Sequence, residues 1–534
     1  MDLTALLQDF CTDELTRSPV TASRLGADPT HDSTLPDLSE TGRRASAAAD
    51  RRWVSRLDEV DSSRANFAQQ LDCEVALAGL RGRLLLRDWH IEQRSAELYT
   101  SPTLVGVQAL FQHRLRPPTE LARDAAARLR QAPELLHQAR IALDPSLASQ
   151  RLLRRAANHA RAGAAFCRNM AGLVGLDDTT DHVHLHTAGD IAADAYEQFA
   201  IYLTKLADNA TGDPVIGETR YTALLATKEG SRLAADDVYE LGTQQMRQIR
   251  QQLAQLYRDH PDLRTSTQIA AHPATTTELL DRYRTEVVRA RQFCIEHSLL
   301  TLPDNEHCDV APTPEFQLAL LPVASYQPPA LLSTHAIQQG CFLVPAPPPN
   351  TPPENIPKLL ATQRVAGFAN TTIHETYPGH HAHHTRMATT VREHPVRALF
   401  PSAFFNEGWG FYVEQLAHQH GYFTEPESRQ AHLGSALVRA ARATVDSALH
   451  SGDMTCEQAE SYLIENVRLP HQLATAEIDR YLAYPTQAAS YLVGATEIAS
   501  LVAETDATPQ RHVHDQLTSS GALPLRLAAR ATRE

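Results

Sequence analysis

The chain of 534 residues is most informative first for what it does not contain. No apolar run approaches the roughly 20 residues a membrane span needs; Leu84-Leu85-Leu86, for example, is stopped at once by Arg87 and Asp88. The first residues, MDLTALLQDFCTDELTRSP, have no basic segment leading into an apolar one, so no export signal is read and a soluble, cytoplasmic protein is expected. No concentrated Lys/Arg tract is present and the net charge is −14, which argues against nucleic acid and anionic membranes as partners. The seven cysteines are odd in number, scattered, and never spaced C-x-x-C. That excludes a cysteine zinc site or a disulfide framework and predicts free thiols in a reducing compartment. No repeat of 20–50 residues is found.

What remains, 43% hydrophobic and 21% charged, is globular composition. Helical periodicity dominates. Within 231–260, Val238, Leu241, Met246, Ile249, Leu253 and Leu256 recur at three- to five-residue intervals, giving one apolar stripe, and Ser231 with Asp236 and Asp237 marks a start. Similar patterns run through 64–98, 118–142 and 147–173. The turn-rich stretch 208–220 is read as the junction between an N-terminal helical region, 1–215, and a C-terminal region, 216–534. Residues 321–357 break the helical texture with short apolar pieces such as Cys341-Phe342-Leu343-Val344 and then the run PAPPPNTPPENIP. Proline density there predicts an extended loop after a short strand. The fold expected is mainly α: a large two-lobed helical enzyme with a small β element beside a zinc-bearing cleft. The strand near Phe342–Val344 is a candidate to line an extended substrate by backbone pairing.

The chemistry concentrates in TTIHETYPGHHAHH, residues 371–384, which holds five of the 26 histidines and the only His-Glu dipeptide. A zinc hydrolase needs imidazoles near one point, a carboxylate base beside them and an open coordination position. His374 supplies the first imidazole and Glu375 the base. The usual second histidine, four residues on, is replaced by Pro378. His381 would share the face of His374 but lie about 10.5 Å along a regular helix. His380 is nearer, and Pro378-Gly379 permits a widened turn that swings it back, so His380 is preferred. His381 is placed as support, and His383, His384 and His394 in solvent or supporting positions. Downstream, in FFNEGWGFYVEQLAHQ, Glu407 and Glu414 are seven apart and share a helix face. Glu407 can ligate while Glu414 holds an imidazole N–H. Near the C-terminus, Arg480, Gln487 and Tyr491 fall on one helical face if Pro485 is tolerated. Tyr491, with Tyr326 as rival, can donate to an oxyanion, and Arg480, with Gln487, can hold a substrate carboxylate.

HETYPGHH followed by NEGWGFYVE resembles the large bacterial family called domain of unknown function 885, whose members carry H-E-x-x-P-G-H-H and E-G-W-A-L-Y-x-E helices and are regarded as metallopeptidase-like. More distantly the pair is similar to gluzincin peptidases. The resemblance extends to LGADPTHDSTLPDLS at 25–39, to Tyr326-Gln327-Pro328-Pro329, and to EIDRYLAYPTQAASYLVG at 477–494, and so spans nearly the whole chain. It implies His374, His380 and Glu407 as zinc ligands and Glu375 as base. Two positions depart from the family pattern: Thr486 stands where it has Gly, and Leu492 where it usually has Lys. The expected function is hydrolysis of a peptide or peptide-like amide. Two alternatives stay open: a tailoring hydrolase or cyclase acting on a small non-peptide amide or ester, for which the Leu492 departure speaks, and a non-catalytic metal- or ligand-binding relative, against which Glu375 speaks.

Overall fold

The computed structural model describes all residues except 1–2, 62–64, 175–178, 265–270, 315–317, 319–322, 334–338, 349–350, 506–507 and 534. The protein is mainly helical, with one small three-stranded sheet. The periodic segments become helices close to their expected places: Phe67–Asp88, Pro118–Ala142, Gln150–Val174 and Ala235–Asp259. The pattern at 64–98 is interrupted after Asp88, where His90 takes a left-handed conformation (φ 59°), and helix resumes at Ile91–Arg94. Ser231 is not the cap of its helix. The first turn begins three residues later, where the Asp237 carboxylate accepts from the Ala234 N–H at 2.8 Å, while the Ser231 hydroxyl accepts from the Leu233 N–H.

Burial divides the apolar residues into two large cores. The smaller, built from 96–207, is rich in alanine, which lets the helices Gln150–Val174 and Thr179–Ala207 lie closely side by side. At Gly189 a side chain would sit 2.4 Å from the Cys167 carbonyl oxygen. The larger core joins residues 3–89 to residues 216–531. Ala207 is the last residue of the smaller core, and Ile216 is the first after 89 in the larger, so the turn-rich segment 208–220 passes between the two.

The elements around the site all belong to the larger core and are numbered in chain order: α1 (Ala235–Asp259), α2 (Thr276–Glu296), β1 (His307–Pro312), β2 (Ser325–Gln327), β3 (Gln339–Val344), α3 (Phe368–Glu375), α4 (His380–Glu393), α5 (Ala403–Gln419), α6 (Pro426–Ser451), α7 (His471–Ala483) and α8 (Ser490–Ala503). The expected strand near Phe342–Val344 is β3, but it lies in the middle of the sheet. It pairs in parallel with β1 (Val310 opposite Phe342) and antiparallel with β2 (Tyr326 opposite Phe342). Both its edges are occupied, so it has no free row of N–H and C=O groups for a substrate. Among its described residues, 345–355 is irregular chain and turn, as proline density requires; 349–350 fall outside the described residues. Gly340 has no room for a side chain, because the Tyr326 ring crosses its face. Among the described residues no helix is long and apolar enough to cross a membrane.

Candidate metal centre

α3 and α4 are one helical pattern cut in two. Thr376 leaves the helix (φ −120°, ψ −91°) and folds its hydroxyl back onto the Thr372 carbonyl at 2.7 Å, and Pro378 cannot continue the ladder. The widened turn expected here is therefore a complete break, with a new helix starting at His380. Gly379 is obligatory in it: a Cβ would lie 2.0 Å from the His374 carbonyl oxygen. Trp409 on α5 fixes the turn by donating its indole N–H to the Pro378 carbonyl at 2.9 Å.

The break brings the His374 and His380 rings to 4.7 Å, nearly perpendicular. Glu407 on α5 closes the group, its Oε2 lying 3.6 Å from His374 Nε2 and 4.0 Å from His380 Nε2. One donor atom from each of the three lies within 4.8 Å of the others. Bonds of 2.0–2.1 Å in a tetrahedral site imply edges of about 3.4 Å, so a shift of roughly an ångström closes the three onto one ion.

Around these ligands the sequence-predicted support is present. His374 Nδ1 donates to Glu414 Oε1 at 2.7 Å, and Arg439 on α6 holds that oxygen from the other side at 2.8 Å. The imidazole lies flat on α5, because Gly410 offers no side chain where a Cβ would sit 2.5 Å from the ring. Burial opposes a charge on His374, but Glu407 and Glu414 outweigh it and raise its pKa to about 9. Burial, with His374 beside it, lowers His380 to about 3, so it stays a neutral lone-pair donor. Burial also opposes ionisation of Glu407, yet the two histidines and Arg439 lower its pKa to about 2. The donor set of two imidazoles and a carboxylate fits zinc.

Glu375, the next residue after His374, is not a member of the three-residue group. Burial, assisted by Glu407, raises it to about 7 against the pull of His374, Arg439 and the Tyr326 backbone N–H. Tyr491 on α8 lies over the site, its ring 6.4 Å from that of His374 and stacked on it. Burial and Glu407 push its phenol up to about 12, so it remains a donor at neutral pH.

Tyr326 and His381 are placed elsewhere. His381 Nε2 donates to Glu306 at 2.7 Å, so its Nδ1 accepts the Tyr326 hydroxyl proton at 3.1 Å; Tyr377 also donates to Glu306. Thus His381 does not hold a ligand imidazole, and the Tyr326 hydroxyl is engaged in the wall while its backbone N–H faces Glu375. His383 is not solvated but fully buried against Phe405. Arg480 and Gln487 meet, but not on one helix. α7 ends at Ala483 and α8 begins at Ser490, and the Arg480 guanidinium donates across the break to the Gln487 side chain and to Glu477 at 2.9 Å. Thr486, in that break, has φ 74°, which explains why glycine suits the position. Leu492 is buried in the larger core. Sequence reading passed over Arg439, Arg442 and Glu306. The signal for the first two was two arginines three apart in the otherwise small-residue helix LVRAARATVDSALH.

A family described as bacterial protein of unknown function (DUF885) matches residues 19–531. The chain belongs to the DUF885 family. Among curated proteins none matches it. Two solved structures share the fold along the whole chain. One, called "a putative lipoprotein of unknown function from Shewanella oneidensis", has a TM-score of 0.78 at 19% identity, with 100% of each chain covered. The other, called "the putative lipoprotein from Colwellia psychrerythraea", has 0.79 at 18% identity, covering 99% of this chain and 98% of that one. These likenesses extend the DUF885 fold and carry no activity with them.

Proposed function

We propose that this DUF885 chain is a zinc-dependent hydrolase of a peptide or peptide-like amide. The observation that carries the reading is the meeting of His374, His380 and Glu407 with a carboxyl, Glu375, that is adjacent to the ligands and held near the pKa of a general base. A zinc ion held by the three ligands supplies Lewis-acid polarisation of the carbonyl and an acidified water. Glu414 and Arg439 fix the His374 ring so that its Nε2 lone pair faces the ligand point. Glu375 takes the proton of the attacking water and returns it to the leaving amine. Tyr491 donates its hydroxyl proton toward the oxyanion. A metal-binding protein without catalysis has no use for Glu375 in this position, so the hydrolase is favoured. The free cysteines support a reducing compartment, hence the cytoplasm; the lipoprotein descriptions of the two structural neighbours point instead to the envelope, and cell fractionation with an antibody to the chain decides between them.

The test has two parts. Zinc analysis should give about one ion per chain, with strong loss in His374→Ala, His380→Ala and Glu407→Ala but not in His381→Ala. Glu375→Gln keeps shape but cannot accept a proton; it should retain zinc while single-turnover cleavage falls at least ~100-fold. Near-normal turnover with full zinc would remove Glu375 from the mechanism, and full zinc in all three ligand variants would remove the site.

A further inference from the structure

Beside the ligands two guanidinium groups, those of Arg439 and Arg442, lie over the Tyr491 ring, and Arg480 joins them through Glu477. Arg439 and Arg442 lie 5.5 Å and 5.3 Å from the Tyr491 centroid, and Arg480 acts on the same phenol. Two carboxylates answer them. Glu414 takes Arg439. Glu477 takes both Arg442, at 2.9 and 3.2 Å, and Arg480, at 2.9 Å. Arg480 spends a further N–H on Gln487 and Arg439 one on Ser435. Arg442 has its Nε and one Nη on Glu477, while its Nη1 makes no hydrogen bond among the described residues. Its side chain also keeps 22% of its surface accessible. Glu375, His380, Glu407 and Tyr491 are part-exposed as well.

We propose that Arg442, backed by Arg480, binds the free α-carboxylate at the C-terminal end of the substrate, so that the site releases one or two residues from a chain end and does not cut internally. This rests on the reading of the centre as an amide hydrolase. An anion that reaches Arg442 meets a guanidinium with an unused Nη1 donor, for which a carboxylate is the matching partner. Distance sets the length of what lies between. From the His374 ring to Tyr491 is 6.4 Å and from Tyr491 to the Arg442 guanidinium 5.3 Å. One extended residue spans about 3.5 Å, with a metal bond of about 2 Å at one end and a charged N–H···O contact of about 2.8 Å at the other. Laid end to end the two distances are an upper bound on the separation, so at most about two residues fit between the ligand point and Arg442. Both Nη groups of Arg480 are engaged, by Gln487 and Glu477, whereas Arg442 keeps a whole Nη1 unused, so the carboxylate anchor is placed at Arg442.

The experiment measures binding apart from turnover. Metal-free protein is titrated calorimetrically with a panel of N-acetyl amino acids, each against its C-terminal amide. At least one acid should bind about 10- to 100-fold more tightly than its amide, as a charge-assisted contact gives. Arg442→Gln should abolish that preference, and Arg442→Lys, which keeps the charge against Glu477 but loses the fork, should restore part of it. Circular dichroism and zinc content show that the variants fold. Equal binding of every acid and amide, or a preference that survives in folded Arg442→Gln, overturns the proposal. Peptide cleavage separates it from the hydrolase reading. Peptides cleaved equally well with free and amidated C-termini would sink the carboxylate anchor and leave the hydrolase standing. Carboxylate binding through Arg442 without cleavage of any peptide would do the reverse.

Discussion

Arg128 and Arg439 are both sequestered guanidinium groups, and their surroundings differ in kind. Arg128, in the helix Pro118–Ala142, is fully buried and reaches only neutral acceptors: the carbonyls of Thr34, Gly106, Pro19 and His31 and the Ser23 hydroxyl. Burial lowers its pKa to about 10, against the weak pull of Asp32 and Asp124. Its bonds tie the segment 19–34 to the smaller core. Arg439 instead faces a carboxylate and a ligand imidazole, and leaves its Nε buried without a partner. Oε2 of the Glu414 carboxylate it holds is likewise buried without a partner, as is His380 Nδ1 in the candidate centre. Arg128 is satisfied in full. Arg439, beside the candidate metal centre, is left with a donor unspent, a cost the fold bears where Arg439 also holds Glu414.

That contrast breaks most visibly at Arg128. Arg128→Met strands several buried carbonyls at once and should cost about 3–5 kcal/mol, at the upper end for single substitutions. Thermal unfolding should show a large drop in midpoint, while protein that remains folded keeps a full zinc equivalent. Arg439→Met should do the opposite: a modest change in midpoint with zinc affinity lowered about 10- to 100-fold, the usual effect of losing an outer support, read by competition with a chelator. If Arg439→Met unfolds the chain as badly as Arg128→Met, the distinction between the two is false. Gly410→Ala sharpens it without touching charge. Its methyl would force the His374 ring off α5, and zinc affinity should fall about 10-fold or more with the larger core otherwise intact. The smallest effect concerns the backbone alone. Thr486→Gly relieves a left-handed β-branched residue and should raise stability by about 1 kcal/mol, measured by denaturant midpoint.

The grouping of His374, His380 and Glu407 was largely legible in the sequence because its parts sit at short, fixed spacings. His374 with Glu375, and Glu407 with Glu414, are decided within one or two helical turns, and axial rise was enough to prefer His380 over His381. What could not be read comes from distant pieces of chain. Arg439 reaches Glu414 only because α6 packs behind α3, and Glu306 meets His381 across 75 residues. Periodicity says which face of a helix is buried, not which residue of another helix it will face. Proline misled twice in the same direction. Pro378 and Pro485 were each granted a distorted but continuous helix, and at each the chain stops and starts again. β3 was found from its apolar run, but its central place in the sheet depends on β1 and β2, whose pairing no local signal fixes.

Where α5 crosses α8 the two backbones touch. A Cβ on Gly408 would lie 2.5 Å from the Gly494 Cα, and one on Gly494 only 2.0 Å from the Phe404 carbonyl oxygen. Glu407 precedes the first of these glycines and Tyr491 stands three residues before the second. The gap between Glu407 and the Tyr491 phenol is therefore gauged by main chain against main chain, like the jaws of a caliper locked at one setting. Side chains around the candidate centre can change in size and charge while that setting stays the same. For the hydrolase proposed above, chemistry and selectivity would sit on separate parts, and altering what the centre accepts need not detune how it reacts.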